Sequence, residues 1–287
     1  MARLISREGR STLVQWGLPP RGWGDLYHSW LIAPWSRIFA AVAALYVAVN
    51  AAFACAYLAV GGIENAREGS FSDAFFFSVQ TLATIGYGRL SPVSLGAHLL
   101  VTLESFLGLT GLAMISGLMF AKFARPSARV LWSEVAVIAL QDGVPSLMFR
   151  VANARGNQVV EAQLRVGMLR FETTAEGERV RRMHDLALVR SRSMVFALSW
   201  MAIHPIVAGS KLHGETAESL REVNAEIFCS LTGLDETFSQ TIHARHSYSV
   251  DEILWGKRFV DIMGPRPDGR MGIDYTRFHE TKPAPLG

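Results

Sequence analysis

The chain has 287 residues, of which 50% are hydrophobic, and its 28 basic and 25 acidic side chains leave a net charge of +3. That length holds two domains, and so apolar a composition places part of the chain in lipid, which excludes a wholly soluble globule. The small net charge gives no electrostatic footprint for a nucleic acid, and no nucleic-acid partner is expected.

Residues 1–30 are polar, are broken by Pro19 and Pro20, and lack the apolar core of a cleaved leader, so the first apolar span is expected to be the anchor. Residues 25–35, Asp-Leu-Tyr-His-Ser-Trp-Leu-Ile-Ala-Pro-Trp, mix aromatic and polar side chains. They predict a helix lying in the membrane interface with Trp30 and Trp35 at headgroup level; the other reading is the polar start of the span. From Ile38 to Ile63 there is no charged residue, enough chain to cross a hydrocarbon core of about 30 Å, and an outer helix is predicted over 37–63.

Ser70 or Ser72 is placed to cap a short helix predicted over 73–83, whose sequence Asp-Ala-Phe-Phe-Phe-Ser-Val-Gln-Thr is apolar all round yet too short to span. A helix that penetrates halfway fits both facts. The pentapeptide Thr84-Ile85-Gly86-Tyr87-Gly88 follows. Backbone carbonyls replace the hydration shell of a potassium ion when successive peptides aim their oxygens at one axis, and glycines supply the dihedrals this needs. A lone Gly-Tyr-Gly is more often an ordinary turn, but a short helix before it and a long span on each side favour a filter. One chain supplies a quarter of the ring, so four copies are expected around an axis.

The second span, Pro92 to Ala121, carries only His98 and Glu104 as titratable side chains, and an inner helix is predicted over 95–123. Arg3, Arg7, Arg10, Arg21 and Arg37 precede the first span, and Lys122, Arg125 and Arg129 follow the second. Basic flanks at both outer ends put both termini in the cytoplasm. Glu104, a carboxyl inside a span, is read either as a contributor to the field of a cavity or as a hydrogen-bonding partner of the short helix.

After Pro126 the period changes to short segments, often alternating: 135–140, 147–151, 159–169, 186–189, 194–203, 227–231, 238–242 and 258–263. Turn signals at Gln141-Asp142-Gly143, Ala154-Arg155-Gly156-Asn157 and Ala175-Glu176-Gly177 separate several of them. This is the pattern of a β-sandwich with one helical stretch, Glu215 to Asn224. Cys55 and Cys229 have no metal-ligand company and read as two buried thiols in a reducing compartment. His243 and His246 likewise lack ligand partners and read as surface histidines.

Taken together the chain resembles the bacterial inward-rectifier potassium channels. The likeness rests on Phe-Phe-Phe-Ser-Val-Gln-Thr-Leu-Ala-Thr-Ile-Gly-Tyr-Gly at 75–88, Ala-Lys-Phe-Ala-Arg-Pro at 121–126 and Val-Glu-Ala at 160–162. It continues in Glu-Gly-Glu at 176–178, Asp-Glu-Ile-Leu-Trp-Gly at 251–256 and Asp-Tyr-Thr-Arg-Phe-His at 274–279. The first string alone identifies only potassium channels in general. Other two-span channels carry α/β nucleotide-binding regulatory domains, and no Gly-x-Gly-x-x-Gly follows a strand here.

The resemblance implies a two-transmembrane-helix pore with pore helix and selectivity filter, followed by a cytoplasmic immunoglobulin-like β-sandwich. The expected limits are residues 1–36 for an N-terminal segment with a slide helix, 37–126 for the pore and 127–287 for the sandwich. It implies a homotetramer in the bacterial inner membrane that conducts potassium passively, with potassium ions at the carbonyls of Thr84, Ile85, Gly86 and Tyr87 and no other cofactor. Tyr87 is expected to turn from the axis. Phe120 is the implied gate, with Gly108 near a bend of the inner helix. Leu112 stands where strong rectifiers have a cavity acid. Glu176 matches an acidic vestibule position, Thr232 replaces another, and Arg190 and Arg192 fall in a region otherwise acidic, so polyamine or magnesium block is expected to be weak. Ser239 falls in the loop 235–241 that constricts the vestibule in relatives, and Gln80 replaces a glutamate that pairs behind the filter. Lys122, Arg125 and Arg129 are placed to meet anionic lipid, although Ser127 and Ala128 replace lysines of lipid-activated relatives, so the sign of a lipid effect stays open. The reading from another class is a membrane-anchored sensor sandwich with a non-conducting pore. An enzyme is not expected, since no nucleophile, base and orienting residue stand together.

Overall fold

The computed structural model describes residues 16–17, 25–124, 128–266 and 269–286, apart from the side chain of Leu26. The chain divides into a helical unit within residues 17–125 and a β-rich unit within residues 126–287.

In the helical unit, α1 (Asp25–Ile32) is followed by α2 (Trp35–Val60), β1 (Ile63–Glu64), α3 (Phe71–Leu82), β2 (Ser91–Pro92) and α4 (Leu95–Phe123). The predicted outer helix 37–63 is shifted towards the N-terminus for two local reasons. Pro34 sits at the N-cap of α2, where its missing N–H costs nothing. At the other end Gly61, at φ 72°, turns the chain and donates its N–H to the Tyr57 carbonyl at 2.7 Å. Ser94 caps α4 by accepting the Ala97 N–H at 3.1 Å. Between the long helices, β1 and β2 form a two-residue antiparallel ladder.

Of the two serines suited to cap α3, Ser70 serves, with its Oγ accepting from the Asp73 N–H at 3.3 Å. Asp73 in the first turn meets the N-terminal end of the helix dipole and is held by Arg67 through Nε and Nη2, each at 2.9 Å. The Arg67 guanidinium keeps the Asp73 carboxyl well below the usual carboxylate range. Both α2 and α4 are apolar on every side, and the described residues bury little of either: Ile38, Asn50, Ala54 and Tyr57 in α2, and Ala97 and Glu104 in α4. Helices of that length and surface need lipid or further protein around them.

The β unit packs two sheets face to face. One contains β3 (Val130–Trp132), β4 (Ala136–Gln141), β5 (Val144–Asn153), β9 (Ser199–Pro205) and β12 (Ile253–Trp255), with order β12-β4-β5-β3 and β9 also paired to β5. The other contains β6 (Val159–Thr173), β7 (Arg179–Asp185), β8 (Arg192–Phe196), β10 (Glu226–Asp235) and β11 (Gln240–Ser249), with order β11-β10-β6-β7 and β8 also paired to β6. Alternate residues of both sheets, among them Ile138, Leu147 and Phe149 facing Leu164, Ile227 and Leu231, fill one apolar core. Each such side chain contributes about 1.5–3 kcal/mol by leaving water. The helix α5 (Ala217–Glu222) closes one margin with a Thr216–Ser219 capping box. Short ribbons β13 (Lys257–Phe259) with β16 (Thr281–Pro283), and β14 (Met263–Pro265) with β15 (Met271–Ile273), finish the chain.

Four predicted segments are redrawn, one of them 258–263, which residues 260–262 divide between β13 and β14. Leu186 to Val189 is not a strand, and the polar stretch of β7 just before it is. Its side chains find partners across the ladder, His184 Nε2 at 2.7 Å and Arg182 at 3.6 Å from the Glu172 carboxylate, which apolar alternation cannot reveal. The segment 194–203 is cut between β8 and β9, which join different sheets. The segment 238–242 extends to Ser249, because every residue of β11 pairs with β10.

Candidate functional site

The segment after α3 has an alternating backbone. Thr84, Gly86 and Gly88 lie at φ 57°, 57° and 78°, while Ile85 and Tyr87 between them keep negative φ. Residues that alternate between the two helical hands turn successive carbonyls to one side of the strand and the N–H groups to the other. Three N–H groups of this segment are satisfied: Thr84 donates to the Thr81 carbonyl at 3.0 Å, and Ile85 and Gly86 both donate to the Gln80 carbonyl, at 2.8 and 3.4 Å. The segment 84–88 follows directly from the C-terminal end of α3, where the helix dipole presents about half a negative charge and favours cations. The whole segment is exposed within one chain, Tyr87 to 76%.

Behind it, α4 holds α3 at two points one turn apart. Gly108 lies so close to the end of α3 that a Cβ there would meet the Leu82 carbonyl oxygen at 2.4 Å. Within α4, which runs from Leu95 to Phe123, this glycine permits a close approach to α3. One turn earlier, Glu104 is 0% exposed. Its Oε2 accepts the Tyr57 hydroxyl at 2.6 Å, and its Oε1 meets the Ser78 hydroxyl. Ser78 Oγ also lies 2.9 Å from Asn50 Oδ1, and Asn50 Nδ2 donates to the Tyr46 carbonyl at 2.7 Å. Of the two sequence readings for Glu104, the hydrogen bonds correspond to the pore-helix side and not to an open cavity. The parts played by Asn50, Tyr57 and Ser78 were missed because each is one polar side chain flanked by apolar neighbours.

Leu112 and Phe120 are 66% and 74% exposed on α4 among the described residues. Lys122 is engaged: its Nζ donates to the carbonyls of Leu31 and Ala33 at 3.0 and 2.6 Å and sits 5.2 Å from the Trp35 ring. It thus closes the C-terminal end of α1, a contact the sequence reading did not foresee. Arg125 lies outside the described residues, as do Pro126, Ser127 and the arginines before Trp16 and at position 21. Arg129 is exposed at the start of the β unit.

In the β unit, Glu176 stands exposed at the β6–β7 turn, its carboxyl lowered by the Thr174 hydroxyl. Ser239 is exposed at φ 51° in the β10–β11 turn, and Thr232 lies between Gln163 and His243 in the ladder. Arg190, just before β8, and Arg192, the first residue of β8, are exposed. His246 corrects the expectation of a surface histidine: it is 7% exposed and stacks on Trp132 at 5.4 Å, whereas His243 is exposed. Cys229 is buried in the core, but Cys55 faces outward from α2, contrary to the reading of two buried thiols.

The family described as inward rectifier potassium channel C-terminal domain matches residues 130–286, and the one described as ion channel matches residues 35–125. The inward rectifier potassium channel Kirbac3.1 of Paramagnetospirillum magnetotacticum is 49% identical over 97% of this chain and 95% of its own length. The chain belongs to the inward-rectifier potassium channel family. More distant members include G protein-activated inward rectifier potassium channel 1 of Bos taurus, 35% identical, and channel 3 of Mus musculus, 36% identical, each over 75% of this chain. This chain spans 45% and 57% of the length of those two mammalian channels. As an inward-rectifier-type channel it is a membrane protein for passive potassium transport and not an enzyme. Its fold is that of the family: two apolar helices around a short third one, then an all-β domain.

Proposed function

We propose that four copies of this chain surround one axis and that potassium passes along it through the carbonyls of Thr84, Ile85, Gly86 and Tyr87. The observation that supports this reading is the alternation of φ sign along 84–88, and on this reading the alternation turns one edge of carbonyl oxygens towards the axis. Four such edges replace the water around a potassium ion, and the exposed Ile85 and Tyr87 are then covered by neighbouring copies and the surrounding helices. Gly88 completes the strand.

The same reading gives the remaining residues their parts. Four Phe120 side chains meeting at the cytoplasmic end of α4 form a dewetting gate, and Gly108 fixes how α4 leans on the pore helix. Leu112 faces the cavity, so no ring of carboxylates holds a polyamine or magnesium ion there, and rectification is weak. Glu176 and Ser239 line the vestibule of the β domain, which lies in the cytoplasm of a bacterial inner-membrane protein with both termini inside. Lys122, Arg125 and Arg129 lie at the inner leaflet, where each basic residue near the surface gains about 1 kcal/mol from anionic lipid. The pore is taken as residues 37–126 and the cytoplasmic domain as 127–287.

Purified protein in liposomes tests the proposal. Potassium flux that excludes sodium, from a species of four subunits in detergent, is the expected result. A monomer or dimer that conducts, or a tetramer that passes both ions alike, overturns it, and protein that conducts neither ion favours the sensor reading.

A further inference from the structure

We infer that Glu104 carries a proton, and that this neutral carboxyl is a positioning group holding α3, and with it the segment 84–88, against α2 and α4. The inference starts from a count of hydrogens. Asn50 Nδ2 lies 2.7 Å from the Tyr46 carbonyl, which can only accept, so the amide orientation is fixed and the atom 2.9 Å from Ser78 is the oxygen Oδ1. Oδ1 has no hydrogen, and the single hydroxyl hydrogen of Ser78 must lie between them. The contact of Ser78 Oγ with Glu104 Oε1 then needs a hydrogen from Glu104. Tyr57 donates to the other carboxyl oxygen at 2.6 Å.

Every hydrogen is then used once and in one direction: Tyr57 to Glu104, Glu104 to Ser78, Ser78 to Asn50, Asn50 to the Tyr46 carbonyl. An ionised Glu104 leaves either its own Oε1 or Asn50 Oδ1 facing an oxygen without a donor between them. It also buries a charge with no cation, since among the described residues no Lys, Arg or His pairs with it. Of the groups that face it, α2 presents the Tyr57 phenol and α3 only the non-titratable Ser78. On α4 itself the other titratable side chains, His98 and Lys122, lie more than a turn away and make no bond to it.

The chain of bonds joins all three helices. Ser78 lies two residues before Gln80, whose carbonyl takes the N–H groups of Ile85 and Gly86. Glu104 and Gly108 share a face of α4, so the side-chain bond and the close approach to Leu82 act together on α3. The positioning role rests on the assignment of 84–88 as the filter; the proton does not.

Glutamine reproduces the neutral acid, its amide N–H donating to Ser78 and its carbonyl accepting from Tyr57. Glu104→Ala is expected to lower selective potassium flux in liposomes by roughly tenfold, the factor for one orphaned buried group, and Glu104→Gln to restore it. Difference infrared spectra of the full-length tetramer, unmodified against Glu104→Gln, are expected to show the C=O band of a protonated carboxyl that shifts in deuterated water and persists at alkaline pH. Loss of a carboxylate band instead overturns the proton assignment. A Glu104→Gln channel as impaired as Glu104→Ala overturns the positioning role. Should Glu104→Ala fail to assemble, the infrared pair still decides the proton, and Glu104→Gln flux still decides the role. If the filter assignment itself fails, sodium passes through the unmodified channel while the protonated band stays.

Discussion

The backbone carbonyl of Leu82 and the α-carbon of Gly108 lie so close that a methyl group on Gly108 would sit 2.4 Å from the oxygen. The obstacle is backbone at the end of a helix and cannot swing aside as a side chain would. Overpacking of this kind costs about 1–3 kcal/mol in a packed interior. Gly108→Ala is therefore expected to lower the thermal stability of the tetramer in detergent and to reduce potassium flux. Gly111→Ala, where nothing lies within 4 Å of the added carbon inside the chain, is the matched control. Equal behaviour of the two variants removes the packing role of Gly108.

Gly86 at φ 57° has open space around an added Cβ within its own chain, so inside that chain a substitution acts through backbone strain. A left-handed L-residue costs roughly 1–2 kcal/mol, and in a tetramer the strain is imposed four times around one ring. Gly86→Ala is expected to abolish the preference for potassium over sodium while the β domain keeps its circular dichroism signature. Unchanged permeability ratios would refute the filter assignment.

Lys122 and Arg129, grouped together by sequence, should separate by experiment. Lys122→Met removes donors from the Leu31 and Ala33 carbonyls, so activity should change even in vesicles of zwitterionic lipid. Arg129→Gln, exposed and without such contacts, should change only the response to added anionic lipid. Identical lipid titrations for the two variants would return Lys122 to a purely electrostatic role.

His204 sets a pH limit on the β domain. Its Nδ1–H donates to the Ala187 carbonyl and its Nε2 accepts from the Ser210 hydroxyl, both at 2.7 Å, which is the neutral tautomer. Burial holds the imidazole below its ordinary 6.5, against a smaller opposing effect of the Ala187 carbonyl. The unfolded chain then binds the proton more readily than the folded one, so this contribution is complete above pH 6.5 and declines as pH falls below it. Thermal unfolding of the full-length protein should show a lower transition temperature in mild acid, and His204→Gln should flatten that slope. A slope that survives the substitution assigns it to other groups.

Block by spermine tests the alignment of α4. With Leu112 apolar, and Arg190 and Arg192 exposed at the start of β8, the unmodified channel should be blocked weakly from the cytoplasmic side. Leu112→Asp places up to four carboxylates in confined water, where each unit charge acts through a lower effective dielectric than bulk. Block should become at least tenfold tighter and steeply voltage dependent, the tenfold corresponding to about 1.4 kcal/mol. Strong block before the substitution, or none gained after it, would mean that Leu112 does not face the cavity.

What the sequence determined by itself was whatever depends on neighbours along the chain. Uncharged runs long enough to span, a serine cap at 70 or 72 ahead of α3, and Asp142-Gly143 between β4 and β5 act through local dihedrals and transfer energies, and each is legible in a short window. The pentapeptide 84–88 belongs with them, since its glycines announce the dihedrals they permit. Tertiary structure alone decided where single polar groups went. Glu104 could have served a cavity or a helix until Tyr57 and Ser78, 47 and 26 residues away, met its two oxygens. Lys122 became a cap for a helix 91 and 89 residues earlier, β7 formed because Glu172 answers its cations, and His246 was buried by Trp132. A hydrogen bond depends on the separation and angle of two atoms, and that distance has no expression in the order of residues until the chain has folded.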